Sequence, residues 1–389
     1  MHKKYGKFRK LFHRVDILVA SMYFYLNPYL TSFCASLQGL FTAPHNLHKA
    51  RREPLNHFSK TSVAARQEII NRNIIKFCDR ISQFSGKMIN LGAAISALTR
   101  DVANEFMLDK SYRSLDQDDF NIAVTNMLQE GGMIWRITKH MPFFGPMTRS
   151  IPPSIMFKLV DEGTKAFLQY VLESEVDTKS LLRVANTPPS DDESSTRTIV
   201  HEMVDSKLPP DEKKFEHVFN DVATITGAGF ETTASVLRLI MFHVFSNQMI
   251  LQRLRAEVAT ASGTSSSNDA TIEVKTLEQL PYLTSVIMEG MRLSPAIGSR
   301  IARIAPDRDL FYGNLRIPTG TPVGMTTILM HTDETLYPEP LSFNPDRWMD
   351  PEAGKKLDKT YVLFSRGTRI CLGMHPAWAE MYLIIPRTV

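Results

Sequence analysis

Residues 364–373 read F-S-R-G-T-R-I-C-L-G. It carries one cysteine, Cys371, with two glycines and two arginines, behind a turn-forming segment and ahead of an apolar run. A thiolate is a strong soft ligand for iron, and a haem iron can be held by a single cysteine. The surrounding residues suit that task. Gly367 has no Cβ, so the backbone there can bend tightly and approach a flat ring. Arg369 can place its planar fork on a carboxylate at the edge of such a ring. Phe364 can pack beside the sulfur and keep water off it, and Gly373 removes a side chain where a following helix would press on the macrocycle. A lone cysteine is more often a buried, unpaired thiol; the ten-residue pattern is what shifts the reading.

The chain has 389 residues, 43% of them hydrophobic, enough for one large globular unit or two domains. A net charge of +4 is small for this length and does not point to nucleic acid. The three cysteines, Cys34, Cys78 and Cys371, supply no disulfide framework. Zinc-type cysteine pairs, a Walker loop and a dinucleotide fingerprint are all missing from the sequence. The N-terminus is basic up to Arg14, after which residues 17–41 carry no charge. That run has the length of a membrane span, although Asn27-Pro28 interrupts it and aromatics cluster at Tyr23, Phe24, Tyr25 and Tyr29 as at a membrane interface. Residues 1–44 are therefore expected to be a separate N-terminal segment with a membrane-associated helix, ahead of one domain over residues 45–389.

Within that domain, His48 and Arg52 are four apart and share one face of any helix. Residues 62–109 and 117–183 show apolar residues at helical spacing, and Thr198 to Lys214 reads as helical with a turn at Pro209-Pro210. A long apolar helix is predicted over about Phe215 to Ser246. Gly227 and Gly229 each cost about 1 kcal/mol against alanine inside it, which suggests a groove or a close approach. Glu231, Thr232 and Thr233 follow, where a local opening of the helix would expose them. Thr232 taken alone would instead bond back to a carbonyl one turn earlier. Ala259 to Asn268 reads as a polar loop, and Leu283 to Leu293 as a helix that puts Glu289 and Arg292 on one face. Arg300 to Thr326 alternates apolar and polar residues, with turns at Tyr312-Gly313-Asn314 and Pro318-Thr319-Gly320, as a few short strands do. Pro345-Asp346-Arg347-Trp348 adds a second arginine.

The stretch at 364–373 resembles the haem-thiolate signature F-x-x-G-x-R-x-C-x-G of the cytochrome P-450 family at every fixed position. Ala228 to Thr233 resembles the family's A-G-x-[DE]-T-T segment, Glu289-x-x-Arg292 its E-x-x-R element, and Pro345 to Trp348 its P-[ED]-R-[FW] element. The resemblance covers about Asn46 to Leu383 and is nearest to the fungal membrane-associated monooxygenases of secondary metabolism. It implies a mainly α fold with a small β portion. It implies haem, an iron protoporphyrin with Cys371 as axial thiolate, bound between the distal helix at Gly229 and the cysteine loop of Phe364, Gly367, Arg369 and Gly373. His48 and Arg52 become donors to the propionates, Thr232 a hydrogen-bond partner of dioxygen or its water, and Glu231 a proton relay. Glu289, Arg292 and Arg347 become a buried structural network. The implied partners are an NADPH-dependent flavoprotein reductase and a lipophilic small molecule, and the implied location is the cytosolic face of the endoplasmic reticulum membrane.

The chain departs from the family pattern in three places. No proline-rich hinge follows the uncharged N-terminal run, the chain stops at Val389, and Pro376 stands early in the helix after the cysteine, where local strain is expected. An incomplete pocket at both ends therefore leaves a second expectation open, a truncated, non-catalytic or unstable haem binder. A third is a haem-thiolate isomerase or dehydratase, against which Thr232 and Glu231 argue.

Overall fold

The computed structural model describes Leu40 and residues 45–128, 150–187, 197–262, 273–294 and 301–389, apart from scattered positions in 153–159 and 351–359. The expected N-terminal membrane helix lies outside these residues, and among the described residues no single helix is long and apolar enough to cross a membrane. Most of the described chain is helical, with two small sheets, in agreement with the sequence reading.

Among the described residues, α3 (Gln67–Ser82), α4 (Leu91–Leu108), α7 (Phe215–Ser246) and α12 (Met374–Thr388) form the centre of the main hydrophobic core. The sequence of α4 explains its close contact with α7. Asn90 caps it by accepting from the Ala93 N–H at 3.0 Å, and the small residues Ala93, Ala94, Ala97 and Ala103 are all buried, so α7 lies tightly against it. Further helices frame this bundle: α1 (His45–Arg52), α2 (Lys60–Ala65), α5 (Glu162–Asn186), α6 (Ile199–Val204), α8 (Gln248–Ser262), α9 (Val274–Leu277), α10 (Pro281–Leu293) and α11 (Thr327–His331).

The predicted long helix runs from Phe215 to Ser246 without a break, so the local opening expected at Gly227–Thr233 is not present. The predicted loop from Ala259 begins later, because α8 continues to Ser262. Thr198 to Lys214 divides into α6 and a 3-10 turn over Pro210–Lys213, with a break over residues 205–209 that ends at Pro209. Pro376 brings no strain. α12 starts at Met374, so the proline sits in the first turn, where backbone N–H groups have no partner within the helix.

Short strands form within the stretch where the sequence predicts them. β1 (Ile301–Ile304) pairs antiparallel with β4 (Pro322–Met325), Ile301 opposite Met325. The hairpin of β2 (Leu310–Tyr312) and β3 (Leu315–Ile317) is inserted between them, Leu310 opposite Ile317. Gly313 makes the hairpin turn at φ +61° and Gly320 the second turn at φ +80°, a region that disfavours any side chain.

Candidate functional site

The loop at 364–373 folds back on itself. The Cys371 N–H donates to the Phe364 carbonyl at 2.9 Å, and the bend between them is a 3-10 turn over Gly367–Arg369. Gly367 lies at φ +82°, where only glycine is unstrained. Phe364 packs 6.5 Å from the ring of Trp378 on α12. Cys371 presents accessible surface, yet burial pushes its thiol pKa up, with the Gly373 N–H and the Arg52 charge pulling the other way. Both observations hold for a sulfur at the wall of a recess, dry on most sides and open on one. A cation bound there would reverse the balance and hold the group as thiolate. At Gly373 an added Cβ would meet nothing within 4 Å, so the open side continues past the start of α12.

Helix α1 reaches this loop from the far end of the chain. Arg52 donates to the carbonyls of Ile370 at 2.7 Å and Cys371 at 3.5 Å. His48, one turn earlier, is buried, and its pKa falls to about 3, first through burial and then through the charges of Arg369, Arg52 and His45. Arg369 is itself buried. The charges of Arg369, Arg52 and His45 all act on His48 in the same direction. Basic side chains gathered at the edge of a recess suit an anionic ligand, because planar guanidinium donors match carboxylate oxygens. The donor set therefore fits the carboxylates of a haem, and the open thiol beside it fits the iron.

Arg303 was missed by the sequence reading. It lies buried on β1 and donates to the Ser365 hydroxyl of the same loop, and burial lowers its pKa. Only its place in an R-I-A-R-I strand hinted at it, since a buried arginine on a strand needs an anionic or polar reason to be there.

On α7, Ala228, Thr232 and Ser235 form a half-buried stripe on a helix whose other faces are mostly in the core. The Thr232 hydroxyl donates to the Ala228 carbonyl at 2.7 Å, the back-bond that threonine makes in helices. Its oxygen lone pairs remain able to accept. Glu231 turns away from this stripe and pairs with Arg238 at 2.8 Å, which also donates to Ser96 on α4. Gly229, expected at the cofactor, is instead a packing glycine. A Cβ there would stand 3.1 Å from that of Ala103 and 3.5 Å from the end of Met107, both on α4. The open side belongs to Gly227, where a Cβ would meet nothing within 4 Å.

Glu289, Arg292 and Arg347 meet as expected from their spacing. Glu289 accepts from Arg292 at 2.8 and 2.9 Å, from Arg347 at 2.9 Å, from the Asn344 N–H at 3.0 Å and from the Trp348 indole at 2.9 Å. Arg292 also donates to the carbonyls of His331, Pro340 and Ser342, which occupies every donor it has. The network continues to the cysteine loop. The Val362 N–H donates to the His331 ring at 3.3 Å, and Tyr361 donates to the Met288 carbonyl at 3.2 Å. Trp348 and His331 were not singled out in the sequence, although Trp348 stands in the quoted element.

The sequence profile of the cytochrome P450 family matches residues 31–389. Cytochrome P450 monooxygenase MO6277 of Ascocoryne sarcoides is 32% identical over 92% of this chain and 71% of its own length. Cytochrome P450 monooxygenase tpcC of Cochliobolus heterostrophus is 34% identical over 88% of this chain and 66% of its own. Conidiogenone synthase PchP450 of Penicillium rubens is 31% identical over the whole chain and 79% of its own length. Among solved structures, the crystal structure of a cytochrome P450 (CYP102L1) superposes with a TM-score of 0.74 at 20% identity, covering 98% of this chain and 83% of that one.

Proposed function

Because this chain belongs to the cytochrome P450 family, whose members hold haem through a cysteine thiolate and act as monooxygenases, we propose that Cys371 is its axial ligand and that its substrate is a lipophilic small molecule of the kind made in fungal secondary metabolism. The observation that carries this reading is the meeting of Arg52 with the Cys371 loop across 318 positions of sequence, beside buried His48 and Arg369. Haem, when bound, supplies the activation of dioxygen, one atom of which enters the substrate while the other leaves as water.

The protein residues have separable tasks. His48, Arg52 and Arg369 would hold the propionates, with Arg303 on the neighbouring strand beside the same loop. The Gly373 N–H and the folded loop keep the sulfur oriented and partly dry. Thr232 offers a hydroxyl on the half-buried stripe of α7, where its oxygen can accept a hydrogen bond while its hydrogen rests on the Ala228 carbonyl. Glu231, whose Oε2 is held by Arg238, is the residue assigned to relay a proton. Two electrons come from NADPH through a flavoprotein reductase docked near the cysteine loop, at the cytosolic face of the endoplasmic reticulum membrane.

The test is spectroscopic. Purified protein should bind haem and, reduced under carbon monoxide, give the band of thiolate ligation; Cys371→Ser should lose that band. Retention of the band by the serine variant would remove Cys371 from the iron.

A further inference from the structure

Helix α1 has only eight residues and ends in two consecutive arginines that point to opposite walls of the site. Arg52 holds the cysteine loop through the Ile370 carbonyl. Arg51 is buried and faces the start of α7. It donates from Nε to Glu212 at 2.7 Å, approaches the same carboxylate from Nη2 at 2.5 Å, lies 2.9 Å from the His217 ring, and stands 3.5 Å from Asp221. Asp221 is itself buried and accepts the Leu40 N–H at 2.6 Å. A guanidinium taken out of water needs such partners, because an unpaired buried charge is strongly unfavourable. Asp221 and Thr232 are eleven positions apart on α7. At about 100° per residue this places them about three turns apart on nearly the same side of the helix.

We infer that Arg51, with Glu212 and Asp221, is a positioning clamp that fixes the propionate-binding helix α1 to the side of α7 that carries Thr232. The inference rests on the haem site described above. Adjacent residues of one short helix thereby join both walls: Arg52 the thiolate loop and Arg51 the opposite helix. A rotation of α1 by one residue would swing His48 and Arg52 away from the propionates, and Arg51 is what opposes it. Groups that orient the direct ligands of a cofactor typically change its affinity about ten- to a hundredfold when removed.

The experiment uses haem-loaded wild type, Arg51→Met, Asp221→Asn and Asp221→Glu. It measures the rate of haem transfer to excess apomyoglobin, the reduced carbon-monoxide spectrum and the urea midpoint. Arg51→Met and Asp221→Asn should release haem about ten- to a hundredfold faster, with part of the carbon-monoxide band displaced from the thiolate position. Asp221→Glu, which keeps the charge, should recover most of the wild-type rate. Wild-type release rates and spectra in both Arg51→Met and Asp221→Asn overturn the clamp. Release that quickens only in step with a falling urea midpoint, without recovery in Asp221→Glu, also overturns it, since that is the mark of general destabilisation. If Arg51→Met does not fold, the nearly isosteric Asp221→Asn decides the matter alone. Wild-type protein that binds no haem would overturn the site itself and the clamp with it.

Discussion

Two buried glutamates show how environment sets the chemistry of a side chain. Burial alone would raise the pKa of Glu289, but the hydrogen bonds and charges of Arg292, the Asn344 N–H and Arg347 outweigh it and hold the carboxyl below its ordinary value. A depressed folded-state pKa contributes stability above the unfolded value and loses it as pH falls through the folded one. Glu289→Gln should therefore cost about 3–5 kcal/mol at neutral pH. Urea denaturation should show that cost shrinking below the ordinary carboxylate range, and a cost that stays constant into acid would refute the assignment. Glu380 on α12 is the opposite case. It is buried, its Oε2 has no hydrogen-bond partner among the described residues, and burial lifts its pKa to about 8. Its raised value means the folded state binds the extra proton, so stability falls as pH rises from the ordinary carboxylate value to about 8. Glu380→Gln should flatten that slope, by up to about 1.4 kcal/mol for each pH unit crossed. Equal pH profiles for the two proteins would show that Glu380 is not the titrating group. At Thr232 the expected effect is kinetic. Thr232→Ala should leave haem binding intact while electron use runs ahead of product and peroxide appears. Unchanged coupling would exclude the hydroxyl from proton delivery.

Helices approach one another here through missing side chains. Gly290 on α10 has no space for a Cβ, which would stand 2.1 Å from Cγ1 of Ile240 on α7. Ile240 is fully buried and has nowhere to move. Gly290→Ala should accordingly cost about 1–3 kcal/mol through overpacking. Because α10 carries Glu289 and Arg292, the haem spectrum should shift as well. Adding Ile240→Ala removes the clashing atoms, so the double variant should lie nearer wild type than the sum of the two single changes. Simple additivity in a double-mutant cycle would mean the two positions do not touch in solution. Gly229 makes a milder contact of the same kind with Ala103. It serves the packing of α7 on α4, which in turn sets where the Thr232 stripe lies.

For the molecule as a whole, the site is a junction of elements far apart in sequence. Helix α1, strand β1, helix α7 and the 364–373 loop each supply part of it, and Arg52 alone spans 318 positions to reach Ile370. A ligand at such a junction stabilises the folded state by binding it and not the unfolded chain, worth about 2.7 kcal/mol at a hundredfold excess over its dissociation constant. Haem-loaded protein should therefore unfold at higher temperature than haem-free protein, and amide exchange in α1 and the cysteine loop should slow most. Protection confined to the α3–α4 core would contradict a haem held between these walls.

The sequence by itself determined what short-range spacing can carry. The pattern around Cys371, the bounds of α7 from Phe215 to Ser246, the meeting of Glu289 with Arg292 and the turns at Gly313 and Gly320 are all legible within a few residues. Helical period, glycine geometry and motif spacing act over that distance. Tertiary structure decided the rest. The burial of Arg303 against Ser365, the turn of Arg51 toward Asp221, the Trp348 bond to Glu289, the burial of Glu380 and the use of Gly229 for packing leave no periodic trace. Each depends on which side chain arrives opposite after the chain has closed long loops, and an arginine on a strand reads the same whether it meets solvent or the wall of a site. Composition and local pattern govern which elements form; the partner of a buried charge is set only when those elements pack, because desolvation is what makes the partner matter.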